Sequence, residues 1–260
     1  MFWYNKIIKR AGGDKASGRR GNKTMYGSYY GYGYGSYDIL LFGVLLVMIL
    51  GFWAQGRVQK IYRQYSSVGS SSGISAAEMA SRMLRQNGSS VQVTRIAGSL
   101  TDNYNPRTGI VSLSQGVYGS SSIAALAVAA HEIGHVMQHE NDYLPIRIRN
   151  MVLPVASIGS RSAPYITILD VVMGSYNLAM VGVYLFFAML IFQVVTLPVE
   201  FNASSRALAM LQDGGYISND QRYDARKVLN AAALTYVVAA LSTLVSFLRL
   251  FMMARNTRRR

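Results

Sequence analysis

The stretch Ser120-Ser-Ser-Ile123-Ala-Ala-Leu-Ala-Val-Ala-Ala-His131-Glu132-Ile-Gly134-His135-Val-Met-Gln-His139 decides how the chain reads. Its serines offer a helix N-cap. Ile123 to Ala130 then run apolar on every side, as in a helix buried all round. All three histidines of the chain lie at the end of this run, and the first five residues from His131 spell H-E-x-x-H. On a helix, positions i and i+4 share a face, so His131 and His135 can reach one ion, with Glu132 beside its water. Two imidazoles and a carboxylate in an apolar helix are costly without partners, and a metal supplies one.

Composition narrows the class. Hydrophobic residues make up 51% of the chain and charged residues 15%, little charge for a soluble domain. There is no cysteine, so a metal must be held by histidine and carboxylate. The net charge of +14 gathers at the tails. Such a basic balance often marks nucleic-acid binding, but the long apolar runs point to an anionic membrane surface instead, and no nucleic acid is expected.

Outward from the histidines the chain divides by composition. Residues 1–37 form a basic tail ending in a Gly/Tyr tract, read as a disordered extension. Residues 38–54 form a membrane anchor whose apolar run, 39–54, spans about 24 Å, without a small-residue cleavage site before Gln55. Residues 55–150 have soluble character. Ser75-Ala-Ala-Glu78 is a capping box for a helix carrying Met79, Ala80, Met83 and Leu84, with Gly88 as its stop. Residues 91–96 and 109–114 alternate as strands, separated by a turn-rich loop. Residues 151–199 read as a membrane hairpin, 200–230 as a helix with a polar segment, 231–253 as a last membrane helix and 254–260 as a basic tail. The expected fold is an α-helical membrane protein with a small α+β domain and three to four transmembrane helices, placed as a multi-pass protein in the cell membrane. Basic tails favour an external site, whereas Arg57, Lys60, Arg63, Arg147 and Arg149 favour the opposite side.

A catalytic zinc takes three protein ligands and leaves one position open. His139 lies about 12 Å along the helix from His131, too far unless the helix turns sharply. Glu140 and Asp142 are farther on, Asp170 sits in an apolar run, and Asp213, Asp220 and Asp224 read as surface charges. Glu200 stands where the 178–199 run ends. Two crossings between His135 and Glu200 would return it to the same side as the histidines.

These segments carry a resemblance. Residues 123–139, Leu197-Pro-Val-Glu-Phe-Asn-Ala-Ser204, Ala225-Arg-Lys-Val-Leu-Asn-Ala-Ala-Ala-Leu-Thr-Tyr236 and the Leu100–Arg107 loop resemble the YugP-type family of zinc-dependent membrane proteases, over roughly residues 38–253. The resemblance implies a zincin-like metallopeptidase domain, one zinc ion, ligands His131, His135 and Glu200, and Glu132 as general base. The layout is also similar to that of the heat-shock and CAAX-type membrane metalloproteases, whose glutamate ligand begins E-x-x-A-D. Here Ser204 replaces the aspartate, so Ser204, Asn202 or a backbone carbonyl must support a ligand imidazole. Asn103 and Asn105 also depart from the family's His and Asp in the loop.

The implied reaction is peptide hydrolysis on a peptide or protein substrate in or beside the bilayer. Candidates for stabilising the oxyanion or supporting the ligands are Tyr104, Tyr118, Asn202, Ser204 and Arg206. The strand Gly109, Ile110, Val111, Ser112, Leu113, Ser114 is expected to take an extended substrate along its edge. The alternatives are a membrane protein holding a structural or sensing zinc, a scaffold whose histidines merely pack, and a metal-dependent hydrolase of non-peptide substrates.

Overall fold

The helix that carries the histidines runs over Ile123–Glu140 in a computed structural model that describes residues 34–173 and 176–257. Ser122 caps it by accepting from the Ala125 amide at 3.2 Å. The chain order is α1 (Tyr34–Ser66), α2 (Ala76–Gln86), β1 (Gln92–Ile96), β2 (Asn103–Asn105), β3 (Ile110–Ser114), α3 (Gln115–Tyr118), α4 (Ile123–Glu140), α5 (Leu144–Met173), α6 (Tyr176–Asp213) and α7 (Asn219–Thr257). The protein is a helical membrane protein with a small α+β domain. Of the expected tail 1–37, residues 1–33 lie outside the described residues, as do 258–260 at the other end.

Among the described residues, three helical stretches are long and apolar enough to cross a membrane: Phe42–Ser66, Met180–Asp213 and Asn219–Arg255. Their large apolar side chains stay exposed, as lipid-facing ones do: Phe42, Ile49, Phe52 and Trp53 on α1, Tyr184 and Val194 on α6, Leu248 and Phe251 on α7. α5 doubles back along α6. Gly159 permits that contact, since a Cβ there would meet the Leu185 carbonyl oxygen at 3.2 Å and the Met189 side chain at 3.3 Å.

The helices outlast the apolar runs that start them. α1 continues beyond Ala54 to Ser66, and Ile61, Tyr62 and Tyr65 turn one face onto the core of the α+β domain. Likewise α6 passes through position 199 without a break, with Pro198 inside it. The hydrogen-bond ladder of a helix does not end where a bilayer does, so the composition boundaries at 54 and 199 are not structural ones.

The α+β domain packs α2, α4 and the sheet around one core. Met79, Met83, Leu84, Val111, Leu113, Leu126 and Ile133 are almost wholly buried. α2 begins as its capping box requires, with Ser75 Oγ accepting from the Glu78 amide at 3.3 Å. In the sheet the order is β1-β3-β2. β3 is central, parallel to β1 (Val93 opposite Val111) and antiparallel to β2 (Tyr104 opposite Val111).

This corrects the expected substrate edge. Ile110, Val111 and Ser112 pair on both sides, Leu113 and Ser114 pair with β1 alone, and Gly109, with a φ of 63°, belongs to the turn before the strand, so β3 is the central strand and not an edge. The outer strands are β1 and β2; β2 lies inside the loop that its turn residues marked and is the one that lines the cleft. Asp102 pins that loop to the end of β3, accepting from the Ser114 amide at 2.7 Å and its hydroxyl at 3.0 Å.

α4 lies between the domain and the membrane helices, touching α2 and the sheet on one side and α6 and α7 on the other. Gly134 meets Ala203 of α6 at close range. A Cβ at Gly134 would stand 2.6 Å from the Ala203 carbonyl oxygen, inside any real contact. Glycine is therefore what lets α6 come within coordination reach of α4.

Candidate active site

One turn of α4 points His131 and His135 the same way, their ring centroids 4.7 Å apart and nearly perpendicular. α6 brings Glu200 to them. Its Oε2 lies 3.2 Å from His131 Nε2 and 3.7 Å from His135 Nε2, and the carboxylate is almost completely buried. One donor atom from each of the three falls within 4.8 Å of the others. Donors on a tetrahedral ion at ~2.1 Å stand roughly 3.4 Å apart, so the trio has the span of a zinc site.

The outer ring nitrogens favour the same reading. Gln138, wholly buried, donates Nε2 to the Val199 carbonyl at 2.7 Å and to Asn202 Oδ1 at 3.1 Å. Its amide is thereby oriented with Oε1 3.0 Å from His135 Nδ1, where it accepts that N–H. The Nε2 lone pair then faces the Glu200 carboxylate, an arrangement that needs a cation between them. On the other imidazole, Ser204 Oγ lies 3.2 Å from His131 Nδ1 and can play the same role. A serine thus occupies the supporting place, reaching with a hydroxyl where an aspartate would reach with a carboxylate.

Glu132 opens onto a cleft of about 890 Å³ that also holds His131, His135, Tyr104, Arg149 and Tyr236. Burial raises the Glu132 carboxyl, the two histidines pull it back, and Asp102 and Glu200 add to the rise; the net shift is upward. A base raised from the ordinary carboxylate range holds a proton better, as a shuttle between water and amine must. For His135, burial opposes the charged form, but Glu200 and Glu132 outweigh it and the imidazole is raised.

A family model described as "Putative neutral zinc metallopeptidase" matches residues 40–255. The chain belongs to this family. It is also 43% identical over 221 residues, 85% of this chain and 98% of the relative, to a protein of Bacillus subtilis (strain 168) named "Putative membrane protease YugP". No solved structure matches.

Within this member of the family, the residues singled out from sequence separate into groups. His131, His135, Glu200 and Glu132 converge. Ser204 touches a histidine, and Asn202 joins the network one step out, accepting from Gln138 and from Arg206 Nε at 2.8 Å. Arg206 therefore braces Asn202 rather than facing the cleft. Tyr118 packs against the domain core, away from the cleft. Tyr104, on β2, lines the cleft and sets its ring on His139 at 5.6 Å, edge to face.

Burial lowers the His139 imidazole, helped by the charges of His135 and Arg149. His139 stays out of the trio, since the helix continues past His135 without the turn it would need. Two residues escaped the sequence reading. Gln138 carried a signal, a polar residue one turn after His135 on an otherwise apolar stretch. Tyr236, on α7 beside Glu200, is a polar aromatic in an alanine-rich run, and nothing in the sequence places that run against the histidines.

Proposed function

We propose that the protein is a membrane-embedded zinc endopeptidase, a multi-pass protein of the cell membrane that cleaves peptide or protein substrates within or beside the bilayer. The observation that carries this is the approach of Glu200 Oε2 to 3.2 Å and 3.7 Å from the two imidazole Nε2 atoms, with Glu132 at the same cleft. His131, His135 and Glu200 would hold one zinc ion, and no fourth His or carboxylate joins the group among the described residues. A zinc ion held by three protein ligands beside the cleft would keep a position for water or substrate, as catalytic rather than structural sites do.

Zinc bound there would supply Lewis acidity to a water and to the peptide carbonyl. Glu132 accepts the proton of the attacking water as its oxygen bonds to the carbonyl carbon. Glu132 then delivers that proton to the nitrogen as the C–N bond breaks, so that the peptide leaves as a carboxylate and an amine. Among the hydroxyls that line the cleft, those of Tyr236 and Tyr104 would serve as donors to the developing oxyanion. β2 supplies the outer edge along which an extended substrate can pair, in place of β3.

The test is Glu132→Gln. That variant retains stoichiometric zinc and loses peptide cleavage by at least about 10²-fold. Undiminished cleavage ends the assignment. Glu200→Ala loses zinc, and normal zinc binding by that variant removes Glu200 from the ligand set.

A further inference from the structure

Arg149 sits in the first half of α5 and lines the same cleft as the histidines. It forms no ion pair and no hydrogen bond among the described residues, and its Nε is sealed from solvent without a partner. Its guanidinium stands 5.9 Å from the ring of Phe192 on α6, which steadies the side chain. Arg147, two residues earlier on the same helix and exposed, behaves as an ordinary interfacial arginine. Arg149 instead turns inward, where its charge acts on His139 and on Tyr236.

A partly buried cation without a counter-ion is costly. The anions of the cleft are already engaged. Glu132 and Glu200 face the histidines, and Asp102 is held by Ser114. Arg107 also lines the cleft but is exposed on the turn after β2, where water satisfies it. Arg149 is therefore the cation of the cleft that awaits an anion from outside, and the planar fork of a guanidinium matches a carboxylate in two parallel bonds.

We propose that Arg149 anchors the substrate by binding a carboxylate of the peptide, either a free C-terminus or an acidic side chain near the scissile bond. This rests on the peptidase reading and assigns the substrate feature that its cleft selects. Arg149 is a specificity residue here and takes no part in the proton transfers.

The test measures binding, so it does not depend on turnover. Full-length protein carrying Glu132→Gln is loaded with zinc in neutral-lipid nanodiscs and titrated with four fluorescent apolar decapeptides of one sequence. Two differ only in a free or amidated C-terminus, and two only in an internal Glu or Gln. The anionic member of one pair binds about tenfold more tightly, ~1.4 kcal/mol. Adding Arg149→Gln abolishes that preference, Arg149→Lys keeps part of it, and zinc stoichiometry is unchanged in both. The pair that shows the preference identifies the source of the carboxylate. Equal affinities within both pairs, a preference that survives Arg149→Gln, or no saturable binding of any peptide overturns the proposal. So does an Arg149→Gln effect limited to melting temperature in phosphatidylglycerol nanodiscs, which would assign the arginine to lipid phosphate. Failure of the peptidase reading shows separately, as zinc-loaded wild type that binds these peptides without cleaving them.

Discussion

Gly134→Ala tests whether the approach of two helices sets the metal geometry. The added Cβ would begin 2.6 Å from the Ala203 carbonyl oxygen, whereas ordinary contact starts at 3.4 Å, and the obstacle is backbone rather than a mobile side chain. α4 and α6 must therefore separate or slide by about 0.8 Å, the gap between those two distances. Glu200 lies three residues before Ala203 on α6, one turn away, and moves with it. Metal sites tolerate errors of only about 0.2 Å in ligand distance, so the displacement exceeds the tolerance several-fold.

Two stability terms nearly cancel in this variant. Overpacking costs about 1–3 kcal/mol, and replacing a mid-helix glycine by alanine returns about 1 kcal/mol. Net destabilisation of the metal-free protein is thus small, ~0–2 kcal/mol, while zinc affinity falls at least tenfold. The assay is competition with a calibrated zinc chelator, alongside thermal unfolding in excess chelator. Gly134→Ser should repeat the result with a smaller propensity gain. Wild-type zinc affinity in both variants refutes the claim that this contact positions Glu200.

Three other outcomes follow from named contacts. Gln138→Leu keeps the volume near Gln138 but removes the acceptor for His135 Nδ1 and the donor to Val199; zinc affinity drops about 10–100-fold, and an unchanged chelator titration would count against the orienting role. Asp102→Ala frees the β2 loop from Ser114 without touching the metal trio. Cleavage kcat/KM therefore falls about tenfold, worth ~1.4 kcal/mol, at full zinc stoichiometry, and parallel loss of zinc would show that the loop supports the metal instead.

His139 has a lowered pKa in the fold, because of burial first and then the charges of His135 and Arg149. Between that lowered value and the ordinary imidazole value of 6.5, the unfolded chain binds more protons than the folded one. The contribution of His139 is then fully present above 6.5 and is lost as the pH falls through the folded value. The stability of wild type relative to His139→Asn, both in chelator, should fall as the pH drops below 6.5 and through the folded value; a relative stability that rises on acidification has the wrong sign.

The linear pattern exposed much of the site. His131, Glu132 and His135 were legible because helical periodicity alone sets their mutual geometry. The supporting residues were less so. Ser204 was visible as a departure from an acidic pattern, but its contact with His131 depends on how α6 is rotated. Gln138 looked like one more polar residue after the motif until Val199 and Asn202 fixed its amide. The strand over 109–114 showed by alternation, yet alternation does not tell a central strand from an edge. β2 is a polar Asn-Tyr-Asn between turn residues, too short for any period, and becomes a strand only because β3 offers it a ladder.

The chain by itself determined the quantities that depend on near neighbours: where helices start, which face of α4 carries the imidazoles, which stretches are apolar enough for a bilayer, and that no thiolate could serve a metal. Only the tertiary structure decided what joins residues far apart in sequence. Glu200 reaches the histidines across 69 positions because a glycine lets two helix backbones nearly touch, and Arg149 and Tyr236 enter the cleft because α5 and α7 pack beside it. Such distances are set by side-chain packing between elements, and no local rule of sequence encodes them.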